Sequence, residues 1–181
     1  VAFSYNEETA VNNFYQKSLS NHNKYEINEK ACREFDNFVE KLILNGVNVI
    51  SFNDTIDPIT PDSVFPNNWI SFHNDGSIVL YPMYAKNRRF ERRLDILDNL
   101  KDSFNFKIEK VFDYTKYESK NIFLEGTGSM VLDRKKKLCY ASLSSRTNAK
   151  IINKFCADFN YQPVIFNSYQ NVDSNRLRIY H

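Results

Sequence analysis

Three short segments carry side chains that could act on a planar, polar ligand. Glu125 follows the apolar run Ile122-Phe123-Leu124 and precedes Gly126-Thr127-Gly128, so it stands where a strand ends and the backbone turns with little side-chain cover. A carboxylate so placed can face a cleft, or it can be a solvated acid at a strand end. Phe65-Pro66-Asn67-Asn68-Trp69 sets two carboxamides before an aromatic strand, where they can bond a planar ligand or form a turn. Ser144-Ser145-Arg146-Thr147-Asn148 opens a predicted helix. Its hydroxyl and amide side chains suit an N-cap, while Arg146 adds a flat fork that fits a carboxylate.

Other reactive residue types are less promising. Cys32 and Cys156 fall in predicted helices and Cys139 in a predicted strand, none beside a histidine, so they read as buried, inert thiols. His22 and His73 lack metal-ligand spacing, and no Gly-rich phosphate loop or Cys-x-x-Cys pair occurs, so neither a metal nor a cofactor is expected. The basic run from Lys86 to Arg93 could be a nucleic-acid patch. Phe90, Leu94, Leu97 and Leu100 share one helical face, however, which makes most of those arginines a solvated opposite face. Arg134-Lys135-Lys136-Lys137 reads as a hairpin turn kept wet by its charge.

The elements that must hold these residues follow from periodicity. Ala31, Phe35, Phe38, Val39, Leu42 and Ile43 recur at helical spacing, with Gly46 placed for a left-handed helix end. A strand is expected over residues 47–52, then a proline-bearing loop. Two strands, 69–72 and 77–81, turn at Asn74-Asp75-Gly76. The order then recurs: a helix over 87–100, a strand near 106–112, strands at 122–124, 129–132 and 139–143, a helix over 149–159, and strands at 163–166 and 176–181. Glu29, Arg88 and Thr147 mark comparable points on the helices, and 88 − 29 and 147 − 88 are both 59. A regular period suggests repeated α/β modules of about sixty residues, covering 20–85, 86–145 and an incomplete 146–181. An ordinary α/β domain with coincidental spacing is the alternative.

The chain has 181 residues, 42% hydrophobic and 25% charged, enough for one domain with one sizeable core. Its net charge of +2 does not call for a nucleic-acid partner. No apolar run approaches the roughly 20 residues that span a bilayer, so no membrane partner is expected. Three cysteines and no signal-peptide pattern fit a reducing cytoplasm. Association with copies of itself stays open. Val1 in place of Met, and a terminal strand that stops at His181 without a turn, are read as cuts at both ends.

Taken in order, Phe65-Pro66-Asn67-Asn68-Trp69, the Arg88-Arg89 pair, Leu124-Glu125-Gly126, Ser144 to Asn148 and Tyr180-His181 resemble the motifs of the guanidino-group-modifying enzymes. That superfamily holds arginine deiminase, dimethylarginine dimethylaminohydrolase and the amidinotransferases. The likeness is nearest to the bacterial arginine-deiminase-related, citrulline-utilisation hydrolases and runs from Phe3 to His181. It implies the pentein fold, an α/β propeller of five modules, of which this chain would supply about three. It also implies a hydrolase of a C–N bond in arginine or a related guanidino or ureido amino acid, acting through a covalent Cys-His-Glu mechanism. His181 and Glu125 would be catalytic, with Asn68, Arg146 and Arg89 binding the substrate. The nucleophilic cysteine would lie beyond this chain, leaving it inactive alone. Asn68 stands where many relatives have Asp, so one clamp lacks charge. Thr127-Gly128 departs from the Gly-Asp that follows this Glu in arginine deiminases. The alternatives are an amidinotransferase and a non-catalytic pentein-fold binding module.

Overall fold

A computed structural model describes residues 3–13, 16, 23–55, 57–172 and 174–179. They fall into two compact units, Val1–Val64 and Phe65–His181.

In the first unit, α1 (Glu7–Ala10) starts where the Asn6 side chain accepts the Glu8 N–H, and α2 (Lys24–Leu44) where Asn23 accepts the Tyr25 N–H. Both are side-chain N-caps that satisfy otherwise orphaned donors. Helix α2 ends as the sequence predicts. Gly46 turns left-handed at φ +79°, its N–H reaches the Ile43 carbonyl at 2.9 Å, and the Val47 N–H reaches Leu42 at 3.0 Å. The strand expected over 47–52 does not form. Its apolar pattern is there, but a strand exists only through a paired neighbour, and no described strand lies against it.

The second unit holds two sheets of one design. Strands β1 (Ile70–Phe72) and β2 (Ser77–Leu80) form the expected antiparallel hairpin, and β3 (Lys110–Asp113) runs parallel to β2. After them, β4 (Met130–Asp133) and β5 (Leu138–Ser142) form a second hairpin, and β6 (Gln162–Phe166) runs parallel to β5. A helix makes each parallel crossover: α3 (Leu94–Phe104) in the first sheet, and in the second α5 (Ala149–Phe159), which follows the single turn α4 (Gly126–Ser129). The hairpins begin at residues 70 and 130, sixty apart, so the period read from the sequence survives as repeated topology. Strand β8 (Asn175–Arg178) pairs with β7 (Tyr169–Val172) in a separate hairpin, and residues 180–181 of the expected terminal strand lie outside the described residues.

The helix expected over 87–100 is broken. Asn87–Glu91 form a tight 3-10 turn, and α3 starts only at Leu94. Side-chain targets explain the break, because the arginines turn onto the buried Glu91 and the half-buried Glu118 instead of lining a wet face. Arg88 is 3% exposed and pairs with Glu91, while Arg89 and Arg92 reach Glu118. Phe90 and Leu94, expected on the apolar face, are exposed, and Leu97 alone of that set is buried.

Two apolar clusters hold the unit together. Trp69, Ile70, Ile78, Leu80, Met83 and Leu97 pack one face of the β1–β2–β3 sheet. Val79, Tyr81 and Tyr114 instead join Leu124, Met130, Cys139, Ala141, Ile151, Ile152 and Phe155 in the second cluster. Alternate side chains of β2 thus go to opposite faces, so β2 is buried on both. Cys139 and Cys156 lie in that second cluster, as their apolar settings predict.

Candidate functional site

The site is built from turns that flank these strands. Residues 66–68 form a 3-10 turn that places Asn68 inside, 6% exposed. This turn lies directly on the start of α4. Gly126 has φ +47°, and a Cβ there would sit 2.1 Å from the Asn67 carbonyl oxygen. Only glycine permits both the conformation and the approach. Asn67 Nδ2 also donates to Thr127 Oγ1 at 3.2 Å. The Phe65-to-Trp69 and Leu124-to-Gly126 motifs are therefore one structure.

The third motif is tied to the same place. Leu124 bridges Thr147, and the Asn148 N–H donates to the Phe123 carbonyl at 2.9 Å. Ser129 joins the pieces through one hydroxyl: it accepts the Glu125 N–H at 3.0 Å and the Thr147 hydroxyl at 2.8 Å, and it donates to the Arg146 carbonyl at 3.4 Å. Asn148 caps α5 by accepting the Lys150 N–H, so the helix N-terminus is satisfied without Arg146. Arg146 is free to turn inward, where it is 2% exposed.

At the centre is Glu125, fully buried and thus no solvated strand-end acid. Its Oε1 accepts the Tyr84 backbone N–H at 3.1 Å, and its Oε2 lies 3.5 Å from Arg146 Nη1 and 3.9 Å from Arg88 Nη1. Arg88 is committed elsewhere: Nε and Nη2 each donate to Glu91 at 2.9 Å, and Nη2 approaches Asn68 Oδ1 at 3.4 Å. Glu91 is 3% exposed. Two arginines and two glutamates share this buried space, so their formal charges cancel. A buried charge costs much less when it is paired and hydrogen-bonded. The tight fork of Glu91 holds Arg88. A buried carboxylate set among arginines is an acceptor suited to the N–H edge of a planar cation.

Of the residues expected in the site, Glu125, Asn68 and Arg146 come together. Arg89 does not join them. Its Nε donates to the Met83 carbonyl at 3.0 Å and lies 3.4 Å from Glu118, while its Nη2 reaches the Tyr84 carbonyl at 3.4 Å. His181 and Tyr180 lie outside the described residues. Arg88, Glu91, Tyr84 and Ser129 were missed as site residues. The Arg88–Glu91 pair had a local signal, opposite charges three apart. Tyr84 had none, because it meets Glu125 through its backbone N–H.

Neither buried cysteine belongs to this cluster. Burial, then the neighbouring Cys156, pushes the Cys139 thiol well above its usual range, and burial raises Cys156 as well. Both are poor thiolates. His73, at the end of β1, packs at 4.2 Å on Phe159 and bonds Ser71 through Nε2 at 3.0 Å. Burial, with Arg134 second, lowers its pKa to about 4. No group of three or more His, Cys, Asp or Glu among the described residues could hold a metal ion. No described helix is long and apolar enough to cross a membrane.

Solved structures share this mixed α/β architecture. The N-terminal domain of ArgZ bound to product, an arginine dihydrolase from the ornithine-ammonia cycle in Cyanobacteria, superposes with TM-score 0.57 at 18% identity, over 81% of this chain and 48% of that one. A dimethylarginine dimethylaminohydrolase adduct with S-methyl-L-thiocitrulline gives TM-score 0.55 at 20% identity, over 76% and 50%. AgrE with ornithine and NAD+ gives 0.55 at 19%, over 81% and 19%. At these identities the likeness is one of fold, the pentein fold of guanidino-group-modifying enzymes. The chain spans about half the length of the first two. A comparison with curated proteins gives no match. The model of one family, described as N,N dimethylarginine dimethylhydrolase, eukaryotic, matches residues 1–181, and the chain belongs to that family.

Proposed function

We propose that this protein hydrolyses a C–N bond of arginine, a methylated arginine or a related guanidino or ureido amino acid. The observation that carries the reading is Glu125: a fully buried carboxylate met by Arg146 and by Arg88, which in turn reaches Asn68, in a chain of the dimethylarginine dimethylhydrolase family. A guanidinium is a flat cation with N–H groups around its rim and an exposed carbon at its centre. Acceptors in its plane, Glu125 foremost and the uncharged Asn68 beside it, would hold it with that carbon open to attack.

In this mechanism a thiolate adds to the guanidinium carbon, and the tetrahedral adduct expels ammonia or an amine. Water then resolves the covalent amidino-enzyme. His181 would give a proton to the leaving nitrogen and take one from the water. The cationic Arg146 would hold the substrate's α-carboxylate, a role expected also of Arg89, which instead binds the Met83 and Tyr84 carbonyls. Arg146 now faces Glu125, so substrate entry would exchange that contact for a new one. The thiol would be none of the three present: Cys139 and Cys156 are buried with raised pKa values, and Cys32 lies on α2 in the other unit. The three expected modules would then belong to a five-module ring, and the two like sheets sixty residues apart support that repeat.

Release of ammonia, methylamine or dimethylamine, with citrulline or ornithine, tests the reading on the protein at its full natural length. No release from any of arginine, the methylarginines, agmatine and citrulline would sink it. A product that forms only with an added acceptor amine would make the protein an amidinotransferase. The 181-residue chain alone should turn over little or nothing; robust activity there would refute the placement of the thiol and make Cys139 the first suspect.

A further inference from the structure

Glu125 accepts a backbone hydrogen bond from Tyr84, so what fixes Tyr84 bears on where the carboxylate stands. Residues 82–84 leave β2 as an irregular strap with no ladder partner of their own. The Pro82 carbonyl accepts the Leu124 N–H at 3.1 Å. Beyond that bond and the packing of Met83 in the core, the strap is held by a half-buried ion cluster rather than by a sheet. Glu118 Oε1 accepts the Met83 N–H at 2.9 Å, and Arg89 donates to the carbonyls of Met83 at 3.0 Å and Tyr84 at 3.4 Å. Glu118 also takes the two ends of Arg92, at 2.6 and 3.2 Å, and its side chain is 12% exposed. The arginines that the sequence offers as a solvated face are thus the anchors of the strap.

The strap meets the site in two ways. The Tyr84 N–H points at Glu125 Oε1 at 3.1 Å, and the Tyr84 ring lies beneath Arg146, whose guanidinium carbon is 5.9 Å from the ring centre. The same ring stands edge-on to Phe123 at 5.4 Å, and Arg89 covers the other aromatic of that pair at 5.9 Å. One residue therefore touches both charged groups proposed to bind substrate. A network of charge-assisted bonds in a low-dielectric setting holds its members more stiffly than neutral bonds would.

We infer that Glu118 is a positioning residue: with Arg89 and Arg92 it locks the 82–84 strap, and through Tyr84 it sets where the Glu125 carboxylate and the Arg146 guanidinium stand. That these two groups handle a guanidino substrate rests on the proposed function. That Glu118 fixes the strap does not.

The two are tested separately on the full-length protein. Amide hydrogen exchange reads the strap without any need for turnover. Glu118→Ala should speed exchange at Tyr84 by about tenfold, the scale of losing a hydrogen bond to a charged group. Tyr81 and Tyr114, whose N–H groups bond across the sheet to Trp69 and Leu80, should exchange at wild-type rates. Glu118→Gln keeps an acceptor for the Met83 N–H but loses the charge, so its effect at Tyr84 should be smaller and in the same direction. If Glu118→Ala fails to fold, Glu118→Gln decides alone. Unchanged Tyr84 exchange in the folded variants overturns the inference, as does equal acceleration at all three amides. If the wild type turns over a guanidino substrate, Glu118→Ala should lower kcat about tenfold, with Glu118→Gln restoring most of it. A wild type without turnover would sink the functional reading and leave the exchange result to decide Glu118.

Discussion

Glu125 is costly to bury, and its surroundings show how that cost is met. Its charge is offset by Arg146 and Arg88, while Arg88 is itself held by Glu91. Removing one member of such a set leaves a buried charge without compensation. Glu91→Ala should therefore destabilise the fold by about 3 kcal/mol, measured as the urea midpoint, although Glu91 is not assigned to contact substrate. A loss well under 1 kcal/mol would mean that water reaches Arg88. Gly126→Ala should also cost about 2 kcal/mol or more, since it combines a left-handed φ with a Cβ driven into the Asn67 carbonyl. An Ala variant as stable as the wild type would contradict that close approach. At this scale the sequence offered Glu125, Asn68 and Arg146 as residue types with two readings each. Burial decides between those readings, and burial depends on segments distant in sequence, such as Tyr84, 41 residues from Glu125, and Asn67, 60 from Thr127.

Elements were legible where one signal sufficed. Helix α5 has the expected bounds because Asn148 caps it and Ile151, Ile152, Phe155 and Cys156 bury one face. The hairpin at Asp75-Gly76 formed for equally local reasons. The 87–100 segment misled because side-chain pairing with Glu91 and Glu118 overrode its helical period. The 47–52 segment misled because pairing is a property of the neighbour. Where β1 ends, packing on α5 carries a pH signature. Burial holds His73 neutral in the folded state down to about pH 4, whereas the unfolded residue titrates near 6.5. As pH falls from 6.5 toward 4, the unfolded chain takes up a proton that the folded chain refuses, so stability declines across that window and levels below it. His73→Gln should flatten this part of the urea-midpoint profile. If the profile is unchanged by the substitution, His73 is not the group responsible.

At the scale of the whole molecule, the second unit carries two sheets with the same hairpin and parallel crossover, sixty residues apart, a spacing close to the interval of 59 read from the sequence. The family match over residues 1–181 agrees with the resemblance drawn from five short motifs. The break in the 87–100 segment and the inward arginines were hidden because they depend on pairing with Glu118, 26 residues from Arg92, which no helical window contains. The central claim is that this repeat presents Glu125 to a guanidinium group. Amine or ammonia release by the full-length protein, compared between wild type and a Glu125→Gln variant shown by circular dichroism to be folded, tests it most directly. Turnover of at least one guanidino substrate that falls a hundredfold or so in the variant is expected; turnover that the variant retains, or none from any substrate, would contradict it.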